Sequence, residues 1–400
     1  MEEFKHRTLT EEILKHWNNK AIHIIKGPRR AGKTMLLKHL HSLKGGSYIS
    51  FEDPAERSDF ISSPINYIKQ YEQPIFLDEI QLLGQKGGYI LKWIYDELHD
   101  KGLKLVISGS GAFDVKMGLT SALVGRAYFY ELLPLSFKEY LIWKKPSLLP
   151  IYKKGHEILQ KLLKGKKAEE MISSMRLENL FKEYLIYGGY PEVVLKRDKK
   201  ELVSIINTTI EEDIFHYFNL KDSIKIWNVV RKLGVFSGNI LDVSALGVDY
   251  RTAEHYISIL SYSYIIKELT TFSTNKLLEL TKSKKLYFYD IGFRNGLLNK
   301  FQPYELRDDI GVLMEMFMFR QLFGQEIHYW RTKNKAEVDF IILKEKNIIP
   351  IEVKSGKGHT TRSLFSFINR YKPRISIVVG FEPRVLKEEP YIFAVPPYYF

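Results

Sequence analysis

The chain has 400 residues, 45% of them hydrophobic and 27% charged, which is long enough for two or three globular domains. The absence of cysteine excludes disulfides and thiolate zinc sites. A formal net charge of +13 favours an anionic partner such as nucleic acid, although a lysine-rich solubility surface would give the same balance. The charged N-terminus is no signal peptide and no apolar run reaches the length of a membrane span, so we expect a cytoplasmic protein with no membrane partner.

The first motif is an apolar run, Ala21–Ile25, followed by GPRRAGKT and by residues that favour a helix. A strand, a glycine-containing turn and a helix in this order predict a phosphate-binding loop. Gly27 and Gly32 are expected to give the loop its backbone angles, Lys33 to reach the β- and γ-phosphates, and Thr34 to bind Mg²⁺. The predicted nucleotide contacts are Gly27, Pro28, Arg29, Arg30, Ala31, Gly32, Lys33, Thr34 and Met35.

The segment QPIFLDEIQ places Asp78 and Glu79 at the C-terminal end of a buried strand. In that position Asp78 would hold Mg²⁺ through water and Glu79 would polarise the attacking water. The pair could instead cap the next helix, but its place after a phosphate-binding loop favours the catalytic interpretation.

Two further residues are weaker catalytic candidates. Ser110 ends the next predicted strand and could sense the γ-phosphate, although serine also suits a helix cap. Arg126 opens the following strand and could stabilise transferred phosphate in cis or on a neighbour's ATP. A structural salt bridge of Arg126 is an equal alternative.

Residues 1–143 resemble an AAA-plus ATPase, through GPRRAGKT, the acidic strand end FLDE, the sensor-like SGS, and GR followed by PLSFKEYL. The whole chain resembles the prokaryotic ATPases that join this module to a winged-helix segment and a C-terminal restriction-endonuclease-like domain. The resemblance implies ATP and Mg²⁺ as cofactors and the roles given above for Lys33, Thr34, Asp78 and Glu79. It also suggests a homo-oligomeric ring, although relatives of this kind can be monomers or dimers.

We therefore predict an α/β fold in four segments. They are an AAA-plus ATPase domain over residues 1–143, a helical connector or lid over 144–221, a winged helix-turn-helix over 222–285, and a restriction-endonuclease-like α/β domain over 286–400.

Within the winged-helix segment, Asp249 is expected to cap a recognition helix. On that helix Arg251, Thr252, His255 and Tyr256 would face a DNA groove. The segment could instead only pack against the ATPase as its lid.

The stretch EVDFIILKEKNIIPIEVK predicts a hairpin that turns within KEKN. The register that completes one apolar face pairs Val338 with Val353, Phe340 with Ile351 and Ile342 with Ile349. On the other face this register sets Asp339 opposite Glu352, with Cβ atoms roughly 4.5–5.5 Å apart.

Two carboxylates so close need a positive charge between them, and a divalent cation, Mg²⁺ or Mn²⁺, is the natural candidate. Lys354 lies on the same face, so Asp339, Glu352 and Lys354 match the D…ExK signature of restriction-like nucleases. Glu315 is placed like the acidic residue of the first helix in those enzymes. Alternatively Lys354 forms only a salt bridge with Glu337, its partner in this register.

These observations predict ATP hydrolysis coupled to work on, or sensing of, nucleic acid, with DNA preferred to RNA. The alternative is an ATP-switched regulator whose C-terminal domain is an inactive nuclease-like scaffold. A transcription factor that uses the winged helix is a third, weaker interpretation.

Overall fold

The computed structural model describes residues 4–111, 118–167, 171–273, 283–344 and 347–400. The α-helices in these ranges are α1 (Thr8–Lys15), α2 (Lys33–Lys44), α3 (Pro54–Ser62), α4 (Pro64–Lys69), α5 (Gly87–Leu98), α6 (Leu119–Ala122), α7 (Phe137–Lys144), α8 (Leu149–Leu163), α9 (Met175–Tyr187), α10 (Pro191–Lys196), α11 (Lys199–Thr208), α12 (Ser223–Phe236), α13 (Tyr250–Tyr262), α14 (Ile291–Leu297), α15 (Ile310–Leu322) and α16 (Arg362–Tyr371). The strands are β1 (Ile22–Gly27), β2 (Ser47–Ser50), β3 (Ile75–Asp78), β4 (Leu105–Ser110), β5 (Ala127–Glu131), β6 (Ile266–Leu269), β7 (Lys285–Phe288), β8 (Glu326–Arg331), β9 (Glu337–Lys344), β10 (Asn347–Val353), β11 (Ser376–Val379), β12 (Arg384–Lys387) and β13 (Ile392–Val395).

The first sheet is parallel throughout, with strand order β2-β3-β4-β1-β5. Strands β1, β3 and β4 are almost continuous apolar runs because helices cover both faces of the sheet. The carboxyl ends of parallel strands meet at one edge, so Gly27, Asp78 and Ser110 end their strands side by side. This arrangement places the three predicted motifs together.

Most buried hydrophobic residues after the first sheet belong to one core, which runs from Leu133 to Phe400, and a smaller cluster lies beneath α16. Helix α8 packs against the end of the chain: Tyr399 O accepts a hydrogen bond from His156 Nδ1 at 2.8 Å, and Tyr152 Oη donates to Phe400 O at 3.1 Å. This core extends across the predicted boundaries after residues 221 and 285, and the second of these falls inside β7.

The predicted winged-helix segment contains α12, a short 3₁₀ helix over Val243–Leu246, α13, and the antiparallel pair β6–β7. Asp249 caps α13 as predicted, since its Oδ1 accepts from Thr252 N at 3.0 Å. Arg251 and His255 are exposed. Tyr256 is buried in the core and cannot face a groove, so that prediction was wrong. Residues 274–282, between the two strands, lie outside the described residues.

The C-terminal sheet is mixed, with strand order β12-β13-β11-β10-β9-β8. The pairing of β9 with β10 confirms the predicted pairs Phe340 with Ile351 and Ile342 with Ile349. The pairing of β9 with β10 ends at Phe340 and Ile351, so the predicted pair of Val338 with Val353 is not formed. Val338 packs instead in the hydrophobic cluster beneath α16, on the other side of the sheet. Residues 345 and 346 of the predicted turn lie outside the described residues.

Among the described residues, no helix combines the length and the apolar character needed to cross a bilayer.

Candidate functional site

The loop between β1 and α2 has the backbone of a phosphate-binding loop. Gly32 precedes α2 with φ of +97°, a left-handed angle that favours glycine, and Arg30 also has a positive φ, of 58°. Gly27 is required for a different reason than predicted. A Cβ atom on Gly27 would lie 2.1 Å from Leu132 O, so space rather than backbone angle requires glycine there.

Lys33 begins α2 with its side chain buried at the centre of this loop. Its Nζ donates to Gly27 O at 3.1 Å and to Pro28 O at 2.8 Å. Burial lowers the pKa of Lys33, while the carboxylates of Glu79 and Asp213 oppose that effect. An ammonium held only by two carbonyls is ready to bind a phosphate in this position.

Asp78 is buried at the end of β3 and both of its carboxylate oxygens are engaged. Tyr48 Oη donates to Oδ2 at 2.7 Å, and Ser108 Oγ donates to Oδ1. These two residues orient Asp78 and were not predicted. Ser108 could have been found, because it is the first serine of the SGS motif at the end of β4.

Glu79 follows with φ of 57°, a left-handed conformation that is strained for a residue with a side chain. Its carboxylate accepts from the amide of Gln81. Burial raises the pKa of Glu79, the Lys33 ammonium lowers it, and the Asp78 carboxylate raises it. The strain and the raised pKa are typical of a carboxylate that acts on a water molecule.

A cavity of about 800 Å³ opens at this edge of the sheet, which is within the usual range for a small-molecule site. The predicted residues that line it are Arg29, Arg30, Gly32, Lys33, Thr34, Met35, Glu79 and Ser110. Residues that the sequence did not indicate also line it, and they include Phe4, Arg7, Trp143, Pro191, Leu195, Asp213 and Tyr217. The second set comes from the N-terminus, from Trp143 on α7 and from the predicted helical connector. No local sequence pattern connects these residues to the loop.

Arg7, near the N-terminus, is hydrogen-bonded to the phosphate-binding loop. Its Nη1 donates to Ala31 O and its Nη2 to Leu133 O, each at 2.7 Å. Its Nε donates to Glu139 Oε1 at 3.1 Å, and both side chains are buried. Arg7 and Glu139 thus connect the loop to α7.

The two weaker candidates differ in position. Ser110 lines the cavity, and its backbone N–H donates to Gln81 Oε1 at 3.1 Å. Arg126 is not among the described residues that line the cavity. Its Nε donates to Asp96 Oδ1 at 2.7 Å, which agrees with the structural salt bridge rather than with a role in cis.

A second cluster of titratable groups lies in the C-terminal half, around the buried ammonium of Lys285 on β7. This ammonium contacts three carboxylates, at 2.6 Å from Glu337 Oε1, 3.4 Å from Glu315 Oε2 and 4.0 Å from Asp339 Oδ1. Tyr287 Oη also donates to Glu315 Oε2, at 2.9 Å. Lys285 was not predicted, because it lies on a strand before the predicted domain.

Asp339 and Glu352 lie next to each other at the end of the hairpin. Asp339 Oδ2 accepts from Val353 N at 2.7 Å, and Glu352 Oε1 accepts from Lys354 Nζ at 2.8 Å. Burial raises the pKa of Glu352 to about 7, and the Asp339 carboxylate adds to that effect. Burial likewise raises the pKa of Glu315 to about 7, again with a contribution from Asp339.

The alternative interpretation, an ion pair of Lys354 with Glu337, is not found in the described residues. Lys354 pairs with Glu352, whereas Glu337 pairs with Lys285 and with Arg331. Each of the predicted residues therefore lies at the cluster, but their partners differ from those of the simple register.

The carboxylates fit a divalent cation only in part. Glu352 Oε2 is buried and has no hydrogen-bond partner among the described residues, as an oxygen that awaits a cation would. Lys285, however, already places one positive charge among Glu315, Glu337 and Asp339. The described residues contain no group of three or more His, Asp or Glu arranged as a metal site. Asp339 and Glu352 remain as a two-carboxylate set, which is enough only for Mg²⁺ that keeps waters or substrate phosphate.

Comparison with known proteins divides the chain into three matched regions. Residues 19–141 match the family model described as an AAA domain. The protein is a P-loop ATPase. In this ATPase, residues 178–304 match a "Domain of unknown function (DUF8612)" and residues 311–399 match a "Domain of unknown function (DUF4143)". Neither of these two descriptions carries an activity.

The ATPase has distant relatives along nearly its whole length. It is 24% identical over 418 aligned residues to "Uncharacterized protein MJ1544" of Methanocaldococcus jannaschii, covering 94% of this chain and 87% of that one. It is 22% identical over 391 aligned residues to an "Uncharacterized protein" of Haemophilus influenzae, covering 90% of each.

The solved structures that resemble the ATPase are more distant still. The Walker-type ATPase paby2304 of Pyrococcus abyssi is 15% identical with a TM-score of 0.44, covering 74% of this chain and 97% of that one. The RuvB Holliday junction branch migration motor of Thermotoga maritima is 15% identical with a TM-score of 0.32, covering 67% and 91%.

Proposed function

We propose that this ATPase acts on or senses nucleic acid, DNA rather than RNA, and that its C-terminal domain carries a metal-dependent nuclease centre. The observation that carries the second part is the buried Oε2 of Glu352 beside Asp339, which has no hydrogen-bond partner in the part of the chain that the structure describes. The roles of the individual residues at both sites belong to the same proposal.

At the ATPase site, Lys33 moves from the carbonyls of its own loop to the β- and γ-phosphates. The Thr34 hydroxyl and Asp78, the latter through water, would hold Mg²⁺, which when bound offsets phosphate charge. Glu79 orients the attacking water and accepts its proton, a role that a raised pKa favours. Ser110 lies at the same cavity wall, where its hydroxyl can contact the γ-phosphate.

Nucleic-acid binding is supported by the order of elements from α12 to β7, which is the order of a winged helix. Arg251 and His255 are exposed on α13, the recognition-helix position, and the chain is strongly basic. A binding curve for duplex DNA measured at several salt concentrations tests this part. A linear fall of log affinity with log salt would support it, because each phosphate contact releases a counterion.

A restriction-endonuclease-like centre is supported by the way β9, β10 and α15 bring Asp339, Glu352, Lys354 and Glu315 into one cluster. In this interpretation Asp339 and Glu352 would hold Mg²⁺ or Mn²⁺, and Lys354 would stabilise charge on the phosphate. Glu315 contributes indirectly, since Lys285 and Tyr287 already engage it. A nicking assay on plasmid DNA and on RNA, with Mg²⁺ or Mn²⁺ and with or without ATP, tests this centre.

The second candidate function is an ATP-switched regulator whose C-terminal domain only binds a partner. The buried ammonium of Lys285 favours it, because a permanent positive charge among the carboxylates takes the place of a metal ion. Absence of nicking under every metal condition, together with intact ATP turnover, would select this alternative.

A further inference from the structure

Asp213 reaches the nucleotide cavity from a part of the chain remote from the phosphate-binding loop. It lies in a π-helical segment, Thr209–His216, that continues α11. Helices of this type are rare and occur frequently at functional sites. Asp213 Oδ1 lies 3.0 Å from Arg29 Nη1, and the Asp213 side chain is only 17% exposed.

The charge of Asp213 is balanced by two cations of the loop. Arg29 forms the direct ion pair, and Lys33 is close enough to interact electrostatically. Burial raises the pKa of Asp213, while Arg29 and Lys33 act against that rise. Arg29 and Lys33 both lie on the phosphate-binding loop, a position that suits them to bind phosphate.

A neighbouring ion pair provides a comparison. Arg30 Nη1 contacts Glu192 Oε2 at 3.3 Å, so the connector contacts both loop arginines. The side chain of Glu192 is 44% exposed, and an ion pair as open as this contributes little because solvent screens it. Of these two carboxylates Asp213 is the more buried, at 17% exposed against 44% for Glu192.

We propose that Asp213 is a positioning residue that competes with the triphosphate for Arg29 and Lys33, and that ATP binding releases the π-helical segment. The phosphates of ATP carry the same sign of charge as Asp213 and use the same donors. Both anions cannot lie against these donors without repulsion in a partly buried site. Nucleotide binding thereby changes the contact between the ATPase domain and the helical connector.

The first test compares the affinity of the full-length chain for ATP, with Mg²⁺, by calorimetry. Asp213→Asn keeps the size of the side chain and removes its charge, so its Kd should fall on the order of tenfold. Asp213→Glu should keep the wild-type Kd, and Glu192→Gln should change it by less than about twofold. An unchanged or higher Kd in Asp213→Asn would overturn the proposal, because removal of a competing charge must tighten ATP binding.

Lys33→Ala separates this proposal from the assignment of the cavity. If Lys33→Ala binds ATP as tightly as the wild type, the cavity is not the ATP site and the phosphate-loop assignment fails first. If Lys33→Ala loses binding and Asp213→Asn does not gain it, only the role of Asp213 fails.

The second test needs no variant and so does not depend on folding of Asp213→Asn. Hydrogen exchange of the Thr209–His216 amides is measured in the wild type with and without ATP. Faster exchange with ATP is expected, since the Arg29–Asp213 contact is lost. Slower or unchanged exchange would overturn the proposed release.

Discussion

Lys285 Nζ lies 2.6 Å from Glu337 Oε1, and this contact joins the β6–β7 hairpin to the C-terminal sheet. The lysine is buried, and Glu315 and Asp339 surround it as well. Burial of the ammonium costs free energy, and the surrounding carboxylates offset that cost. The ammonium in turn offsets part of the cost of burying the carboxylates. The pairing connects two segments that sequence patterns assign to different domains.

Lys285→Met should destabilise the protein by about 3–5 kcal/mol, because it leaves buried carboxylates without a counter-charge. Mn²⁺ should then restore part of the loss, so the rise in Tm on adding Mn²⁺ should be larger for Lys285→Met than for the wild type. Lys284→Met is the matched control, since Lys284 forms a more exposed pair with Glu268. Equal Mn²⁺ shifts in both variants and the wild type would show that no cation enters the cluster.

Asp339→Asn should abolish any metal-induced rise in Tm and any nicking of nucleic acid, while ATP turnover survives. The reason is that Asp339 supplies one of the two carboxylates proposed to hold the metal, and the ATP cavity is lined by other residues. Melting with and without Mn²⁺, beside a nicking gel and a phosphate-release assay, checks all three. Nicking that persists in the variant would exclude Asp339 as a metal ligand.

Lys33→Ala should weaken ATP binding sharply, whereas Glu79→Gln should bind ATP and fail to turn it over. Lys33 is the buried cation of the loop, and Glu79 is the strained carboxylate proposed to orient the attacking water. Calorimetry and phosphate release measured on the same preparations separate the two roles. Wild-type turnover in Glu79→Gln would contradict the assignment.

Arg126→Ala should leave ATP turnover per folded molecule close to the wild-type value, because the Arg126 guanidinium pairs with Asp96. The expected effect on stability is small, because solvent screens a pair this exposed. Asp96→Asn, which breaks the same pair from the other side, is the control. A large loss of turnover in Arg126→Ala alone would instead indicate that Arg126 acts on the ATP of a neighbouring copy.

The buried carboxyl group of Glu139 should make the stability of the protein depend on pH. Burial alone would raise its pKa, but Arg7 and the backbone N–H groups of Ser136 and Thr8 lower it to about 2. A depressed carboxyl pKa contributes stability above the unfolded value of 4.5, and that contribution disappears as the pH falls through about 2. The Tm difference between the wild type and Glu139→Gln should therefore be largest near neutral pH and shrink below pH 4.5. A difference that stays constant into acid would disprove this linkage.

The sequence patterns predicted those structural features that depend on residues close together in the chain. The loop from Gly27 to Thr34 needs only a strand, two glycines and a helix start, and all of these are adjacent in sequence. The register of β9 and β10 near Phe340 follows from alternating apolar residues, which a slip of one residue would turn to the wrong face.

The errors and omissions have separate physical causes. Tyr256 was assigned to a DNA groove from its place on the recognition helix. Ala253, Tyr256, Ile257 and Leu260, however, form a buried stripe at helical spacing that could have shown otherwise. The sequence analysis missed Lys285, Arg7 and Asp213 because each contacts a partner far along the chain. A single sequence carries no signal for such pairs.

The contact of α8 with the last residues described has a consequence for synthesis. His156 and its partner Tyr399 are 243 positions apart. At a translation rate of roughly 5–20 residues per second, α8 waits on the order of ten seconds or longer before its partner exists. During that interval its buried face, which includes Tyr152 and Leu159, is open to chaperones and to other nascent chains. Slowing the ribosome over residues 164–398 should thus lower the yield of soluble protein, whereas slowing it over the first 140 should not.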